Sequence, residues 1–351
     1  NMALLIKNGR IITAADDFVG DILCDGEVIT RIAPHIEAVP GAEVIDAAGK
    51  YVFPGFIDPH VHIYLPFMGT YAKDTYASAS RAALVGGTTT LIEMCCPARN
   101  DEPLESFELW LSKTAESACD YTFHMGVSRF DALSESQLRE IVSRGIASFK
   151  IFLAYKGAFG INDDELFGIL KLAKQLGVIV TAHCENETLV SQLQARLLGE
   201  GKTGPEWQDA SRPPRVEAEG VQHLMSFADI TGAHVYCVHT SCREALEAVQ
   251  AGRLRGVQAW VESVIPHFVL DKSYTAKPDF EGSKYVMSPP LRDANQHDSL
   301  WAGLRSRLIS TVGTDHAPFD FVGQKDMGRE NFTLIPNGIP SVEDRVNILY
   351  T

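Results

Sequence analysis

The feature that most constrains this chain is a rhythm. From Phe53 onward, short apolar runs of strand-forming residues alternate with amphipathic helical patterns. The runs fall at about 54–60, 88–94, 121–127, 147–153, 178–183, 233–239, 256–262 and 309–315, which makes eight. Intervening stretches such as "SESQLREIVSRG" and "DDELFGILKLAKQLG" open on polar or acidic residues and close on glycine, as helices do. A strand can join a parallel neighbour only through a long crossover, and here a helix supplies each one. The pattern predicts an α/β chain whose core is a closed (β/α)8 barrel.

Before that rhythm begins, residues 1–52 carry short alternating segments punctuated by "NG" at 8–9 and "DG" at 25–26, both hairpin signals. They predict the N-terminal part of a small β-sandwich module, with the barrel spanning 53–351. The chain stops at Thr351 just inside the expected eighth helix, "PSVEDRVNILYT", so the barrel is expected to be truncated there. Two long stretches on the catalytic side of such a barrel, 201–215 and 265–295, are expected to act as lids or binding loops.

The 31 basic and 45 acidic residues leave a formal charge of −14, which argues against a nucleic-acid partner. Seven scattered cysteines, mostly inside apolar runs such as "LIEMCCP", read as reduced thiols of a cytoplasmic protein and not as a disulfide framework. "MALLI" is too short for a signal-peptide core, and nowhere do 18 uncharged apolar residues run together, so no membrane association is expected.

Chemistry enters at the strand ends, where barrel enzymes build their sites. In "FPGFIDPHVHIYLP", His60 and His62 lie two apart in a strand and project from one face. A single His-x-His pair is often an ordinary surface feature. Here the fifth strand also ends in His183, the sixth in His239 and the eighth in Asp315. Five such donors exceed what one tetrahedral zinc takes from protein and suit two divalent ions with an anionic bridge. Lys150, in the apolar fourth strand "ASFKIFLAYKG", is a candidate for that bridge. Burial would neutralise its amine, and a neutral amine reacts with carbon dioxide to give a carbamate. A snorkelling or acid-paired lysine fits the same position.

The motifs "GFIDPHVH", "GGTTTLIEM", "SFKIFLAYKG", "VTAHCENE", "VHTSC", "MSPPLR", "VGTDHAPF" and "IPNGIPSVEDR" run the length of the chain. Together they resemble the dihydropyrimidinase and hydantoinase family of cyclic amidohydrolases, in detail the phenylhydantoinase type. The resemblance implies that His60, His62 and Asp315 hold one divalent ion, zinc by preference, and that His183 and His239 hold a second. N6-carboxylated Lys150 would bridge them. It further implies that Tyr155 donates its phenol to the substrate carbonyl and that backbone groups of Ser288 and Asn337 grip the ring amide. The implied assembly is a homotetramer. Leu65, Phe67, Phe152 and Phe159 look like the family's apolar gate, although plain packing would account for each. Departures are few: Tyr64 stands where many relatives have Asp, and Thr240 follows His239 in place of a common Leu.

The expected reaction is ring opening of a 5,6-dihydropyrimidine or 5-substituted hydantoin to an N-carbamoyl amino acid by a metal-bridging hydroxide, with Asp315 as base and then acid. An allantoinase or dihydroorotase reading is the alternative. The apolar "IYLPF" after the histidines disfavours a charged substrate. A metal-free scaffold, as in dihydropyrimidinase-related proteins, is disfavoured because those have lost ligands retained here.

Overall fold

The computed structural model describes residues 3–351; residues 1 and 2, which the expected N-terminal module includes, lie outside it. The chain divides into two units, Asn1–Phe56 and Ile57–Thr351.

The first unit is one five-stranded mixed sheet. Strands β1 (Ala3–Ile12), β2 (Asp17–Asp25), β3 (Val28–Ala33) and β4 (Glu43–Asp46) lie in the order β3-β2-β1-β4, and β5 (Tyr51–Val52) pairs with β1 further along. The "DG" signal is a hairpin turn between β2 and β3, with Gly26 left-handed at φ 59°. The "NG" signal is not. Strand β1 runs straight through Asn8 and Gly9, and its register with β2 shifts between Ile6 and Gly9. The reason is that β1 serves two parallel partners in succession, β4 along Leu4–Lys7 and β5 along Arg10–Ile11, and a bulge makes the change. Asn8 takes the left-handed conformation at φ 61°, and a Cβ on Gly9 would come within 2.5 Å of Val52 Cγ2. Asp21 holds the bulge by accepting from Asn8 N at 2.8 Å and from Ile36 N at 2.9 Å.

The second unit carries a parallel eight-stranded sheet. Its members are β6 (Phe56–Val61), then, after a two-residue ladder of β7 (Pro66–Phe67) and β8 (Thr70–Tyr71), β9 (Thr88–Cys95), β10 (Asp120–Gly126), β11 (Ser148–Phe152), β12 (Ile179–His183), β13 (Val235–Cys237), β14 (Ala259–Val264) and β15 (Thr311–Gly313). Each pairs with the next in sequence. Between β6 and β15 the chain bonds Asp315 N to His60 O at 2.9 Å and His62 N to His316 O at 2.7 Å, which closes the barrel.

Helices fill the crossovers for the local reasons read in the sequence. Asp163–Leu176 starts from a capping box of Asn162 with Glu165 and ends on left-handed Gly177 at φ 69°. Its apolar face buries Leu166, Ile169 and Leu170 completely, each stabilising by roughly 1.5–3 kcal/mol. Opposite them lie strand residues such as Phe149, Ile151 and Val180 in one continuous core. The stretches at 201–215 and 265–295 are not structureless loops, since they contain the short helices Gln208–Ser211 and Ile265–Val269 and several 3-10 turns. At the far end of the barrel, Arg345 donates to Ile57 O at 2.8 Å, Val312 O at 2.9 Å and Thr88 Oγ1 at 2.9 Å, tying the first, eighth and second strands. No helix among the described residues is long and apolar enough to cross a membrane.

Candidate metal centre

Two of the strands expected to end in ligands stop short of them. The β13 ladder ends at Cys237 and the β15 ladder at Gly313, and His239 (φ 37°) and Asp315 (φ 53°) follow in the left-handed region. Such a conformation costs a residue with a side chain about 1–3 kcal/mol and persists only where surrounding contacts enforce it. Here each turn breaks the ladder and brings its side chain onto the barrel rim. Tyr155, after β11, is left-handed as well at φ 59°.

The candidate ligands meet at that rim. The donor atoms of His60, His62 and Asp315 all lie within 4.8 Å of one another. Asp315 Oδ1 is 3.0 Å from His60 Nε2 and 3.2 Å from His62 Nε2. The rings of His183 and His239 meet edge to face with centroids 4.6 Å apart, and His239 lies 5.4 Å from His60. Lys150, His62, His183, His239 and Asp315 together line one cavity of about 40 Å³. Lys150 Nζ is buried there with no hydrogen-bond partner, as are His62 Nδ1 and His239 Nδ1.

Electrostatics separate these groups by task. Burial lowers the pKa of Lys150, and it lowers those of His62 (to about 4), His183 and His239, favouring the neutral forms. Burial pulls His60 the same way, but Asp315 and Glu262 on either side outweigh it and hold His60 at about 9. Burial disfavours the charge on Asp315, yet His60 and His62 keep it well below the usual carboxylate range. Imidazoles kept neutral at His62, His183 and His239, an ionised Asp315 and a buried Lys150 amine without a hydrogen-bond partner form a donor set that fits divalent cations such as zinc. A metal ion would take the place of the proton that Asp315 and Glu262 now hold on His60. The orphaned Nζ is the strongest observation for that fit: a buried amine without a partner is costly unless it is modified or serves a ligand.

Behind the candidate ligands stands a layer that sequence reading missed. Glu262 accepts from His60 Nδ1 at 2.6 Å, His239 N at 3.0 Å and the Tyr236 hydroxyl at 2.8 Å. Glu185 Oε1 sits 2.6 Å from His183 Nε2, leaving that imidazole's Nδ1 edge for other work. The same oxygen accepts from Arg212 at 2.6 Å and from Ser288 Oγ at 2.7 Å. One signal was available for Glu262, a lone acid inside the apolar run "QAWVESV".

Above the small cavity opens a mouth of about 670 Å³; Phe67, Tyr155, Phe159 and Asn337 line both. Leu65, Phe67, Phe152 and Phe159 gather at the junction, with Phe67 stacked on Phe159 at 5.9 Å and Phe152 tilted against Phe159 at 5.4 Å. Tyr155 Oη accepts from Asn337 Nδ2 at 3.1 Å, with the Arg212 guanidinium 5.2 Å from its ring. Ser288 is buried beside them. Tyr64 takes no part, packing edge-on against Trp110 at 4.9 Å and lining a separate cavity of about 290 Å³.

Residues 51–338 match the model of the Amidohydrolase family. The chain is 42% identical over 352 residues to a D-hydantoinase of Geobacillus stearothermophilus, covering 100% of this chain and 74% of that one. Among solved structures it is similar to a D-hydantoinase (dihydropyrimidinase) from Thermus sp., with a TM-score of 0.96, 62% identity, and 99% and 76% of the two chains covered. It is similar also to a dihydropyrimidinase from Brevibacillus agri, with a TM-score of 0.97, 39% identity, and 100% and 76% covered.

Proposed function

The chain belongs to the amidohydrolase family and is a cyclic amidohydrolase, and from that premise we propose that it opens 5-substituted hydantoins or 5,6-dihydropyrimidines to N-carbamoyl amino acids at a two-metal centre. His60, His62 and Asp315 would hold one divalent ion and His183 and His239 the other, with the carbamate of Lys150 between them. Zinc suits these donors. When bound, the ions supply a water molecule that ionises near neutral pH and a positive charge beside the reacting carbonyl. The observation that carries this reading is the buried, unpartnered Lys150 Nζ in a cavity shared with three of the imidazoles and Asp315.

The residues divide the labour. Asp315 takes the proton of the attacking water and returns it to the ring nitrogen as the carbon–nitrogen bond breaks. Tyr155 donates to the carbonyl oxygen as negative charge gathers there. Backbone groups at Ser288 and Asn337 hold the ring amide. Leu65, Phe67, Phe152 and Phe159 favour an uncharged ring and an apolar 5-substituent, because nothing in that cluster repays the desolvation of a charge. Seven free cysteines support a reducing, cytoplasmic setting, and a homotetramer is the assembly we infer from family resemblance.

The test is a metal analysis of the purified protein combined with ring-opening assays on dihydrouracil, 5-phenylhydantoin, allantoin and dihydroorotate. About two zinc ions per chain and turnover of the first two substrates support the reading. Preference for allantoin or dihydroorotate would overturn the substrate assignment, and absence of both metal and turnover would overturn the reading as a whole.

A further inference from the structure

The stretch at 201–215 carries Gln208, a buried side chain whose Nε2 donates to Met287 O at 3.0 Å and to Asn337 Oδ1 at 3.0 Å. A main-chain carbonyl can only accept, so the Gln208 atom facing Met287 O is the amide nitrogen. The Asn337 atom facing that same nitrogen must then be its oxygen. Asn337 therefore turns its Nδ2 toward Tyr155, which accepts at 3.1 Å.

The surroundings leave little other freedom. Lys325 Nζ, itself buried, donates to Val286 O at 2.9 Å, Pro336 O at 2.6 Å and Gly338 O at 2.8 Å. The main chain on both sides of Asn337 is pinned, and only the rotation of its amide remains to be chosen. Ser288 Oγ is engaged elsewhere, receiving a hydrogen from Arg212 at 2.7 Å and giving its own to the Glu185 carboxylate at 2.7 Å.

We propose that Gln208 is a positioning residue that sets the direction of hydrogen bonding at Tyr155, so that the phenol hydrogen stays available to the substrate oxygen as it becomes an oxyanion. The proposal rests on the role given to Tyr155 above. Gln208 never touches substrate; it acts through Asn337. Reversing the Asn337 amide would present Oδ1 to Tyr155, which would draw the phenol hydrogen away from the substrate.

Gln208→Glu makes that reversal, because a carboxylate repels Asn337 Oδ1 and attracts Nδ2. Metal-loaded wild type, Gln208→Glu, Gln208→Met, Tyr155→Phe and the two double variants are compared on 5-phenylhydantoin, with metal content and melting temperature recorded. Gln208→Glu is expected to lower kcat by about 10²-fold, as loss of one oxyanion donor does, while KM and metal content change by less than about threefold. Gln208→Met, which frees the amide without reversing it, is expected to lose about tenfold. In the Tyr155→Phe background both substitutions should cost almost nothing more, since the group they act through is gone. Equal losses in both backgrounds, or an unchanged kcat in Gln208→Glu, would overturn the proposal and leave the role of Tyr155 intact. A Tyr155→Phe enzyme with full kcat would instead overturn the reading of Tyr155 itself. If Gln208→Glu fails to fold, the Gln208→Met cycle decides alone.

Discussion

Glu262 Oε1 stands 2.6 Å from His60 Nδ1, and the same oxygen receives the main-chain N–H of His239 at 3.0 Å. One carboxylate thereby orients a candidate ligand of each proposed ion. Glu262→Gln keeps the shape but exchanges the anion for a neutral amide. Metal affinity should fall by about 10–100-fold. Equilibrium dialysis against a chelator measures it, and unaltered affinity would show that the contact does not tune the site.

Lys150→Ala should abolish ring opening, and short carboxylates such as acetate or propionate should restore part of it by entering the space of the proposed bridge. Wild-type protein supplied with ¹³C-bicarbonate should show a carbamate carbon by NMR. Full activity in the unsupplemented variant would exclude the bridge.

Asp21 holds the β1 bulge, and the N–H groups of Asn8 and Ile36 keep its pKa below the usual carboxylate value. A depressed folded pKa gives stability that is present in full above the unfolded value of about 3.9 and is lost as pH falls through the folded value. Asp21→Ala should cost about 1–3 kcal/mol at neutral pH, because the buried N–H of Ile36 and the partly buried N–H of Asn8 lose their acceptor. The gap should narrow in acid, and thermal melts at pH 7 and pH 3 test the sign.

Arg345 reaches three strands and lies 3.8 Å from the buried carboxylate of Asp58. Arg345→Met removes one partner of a buried ion pair, an effect of about 3–5 kcal/mol. The melting temperature should drop by several degrees while KM stays put. A change in KM with unchanged stability would place Arg345 in the site.

The candidate ligands His60, His62 and His183 were legible because a strand has period two and a barrel gathers strand ends at one rim, whereas His239 and Asp315 sit two residues past their ladders on left-handed turns that no period announces. The supporting groups were not legible. Gln208 and Asn337 are 129 residues apart, and His60 and Glu262 are 202 apart, so no local pattern joins them. Asn8–Gly9 misled for a related reason. Its two-residue signal describes a left-handed step, which a hairpin and a bulge both use, and the choice between them lay with β4 and β5 more than thirty residues on.

The seam between β6 and β15 gives the barrel an order of events. His60 lies in its earliest stave, His62 just past that stave's end, and Asp315 follows its last, so a chain emerging from the ribosome cannot assemble this trio until the final strand has docked. Closure of the ring and assembly of this candidate metal site are one step, and a half-made barrel carries no partial version of it.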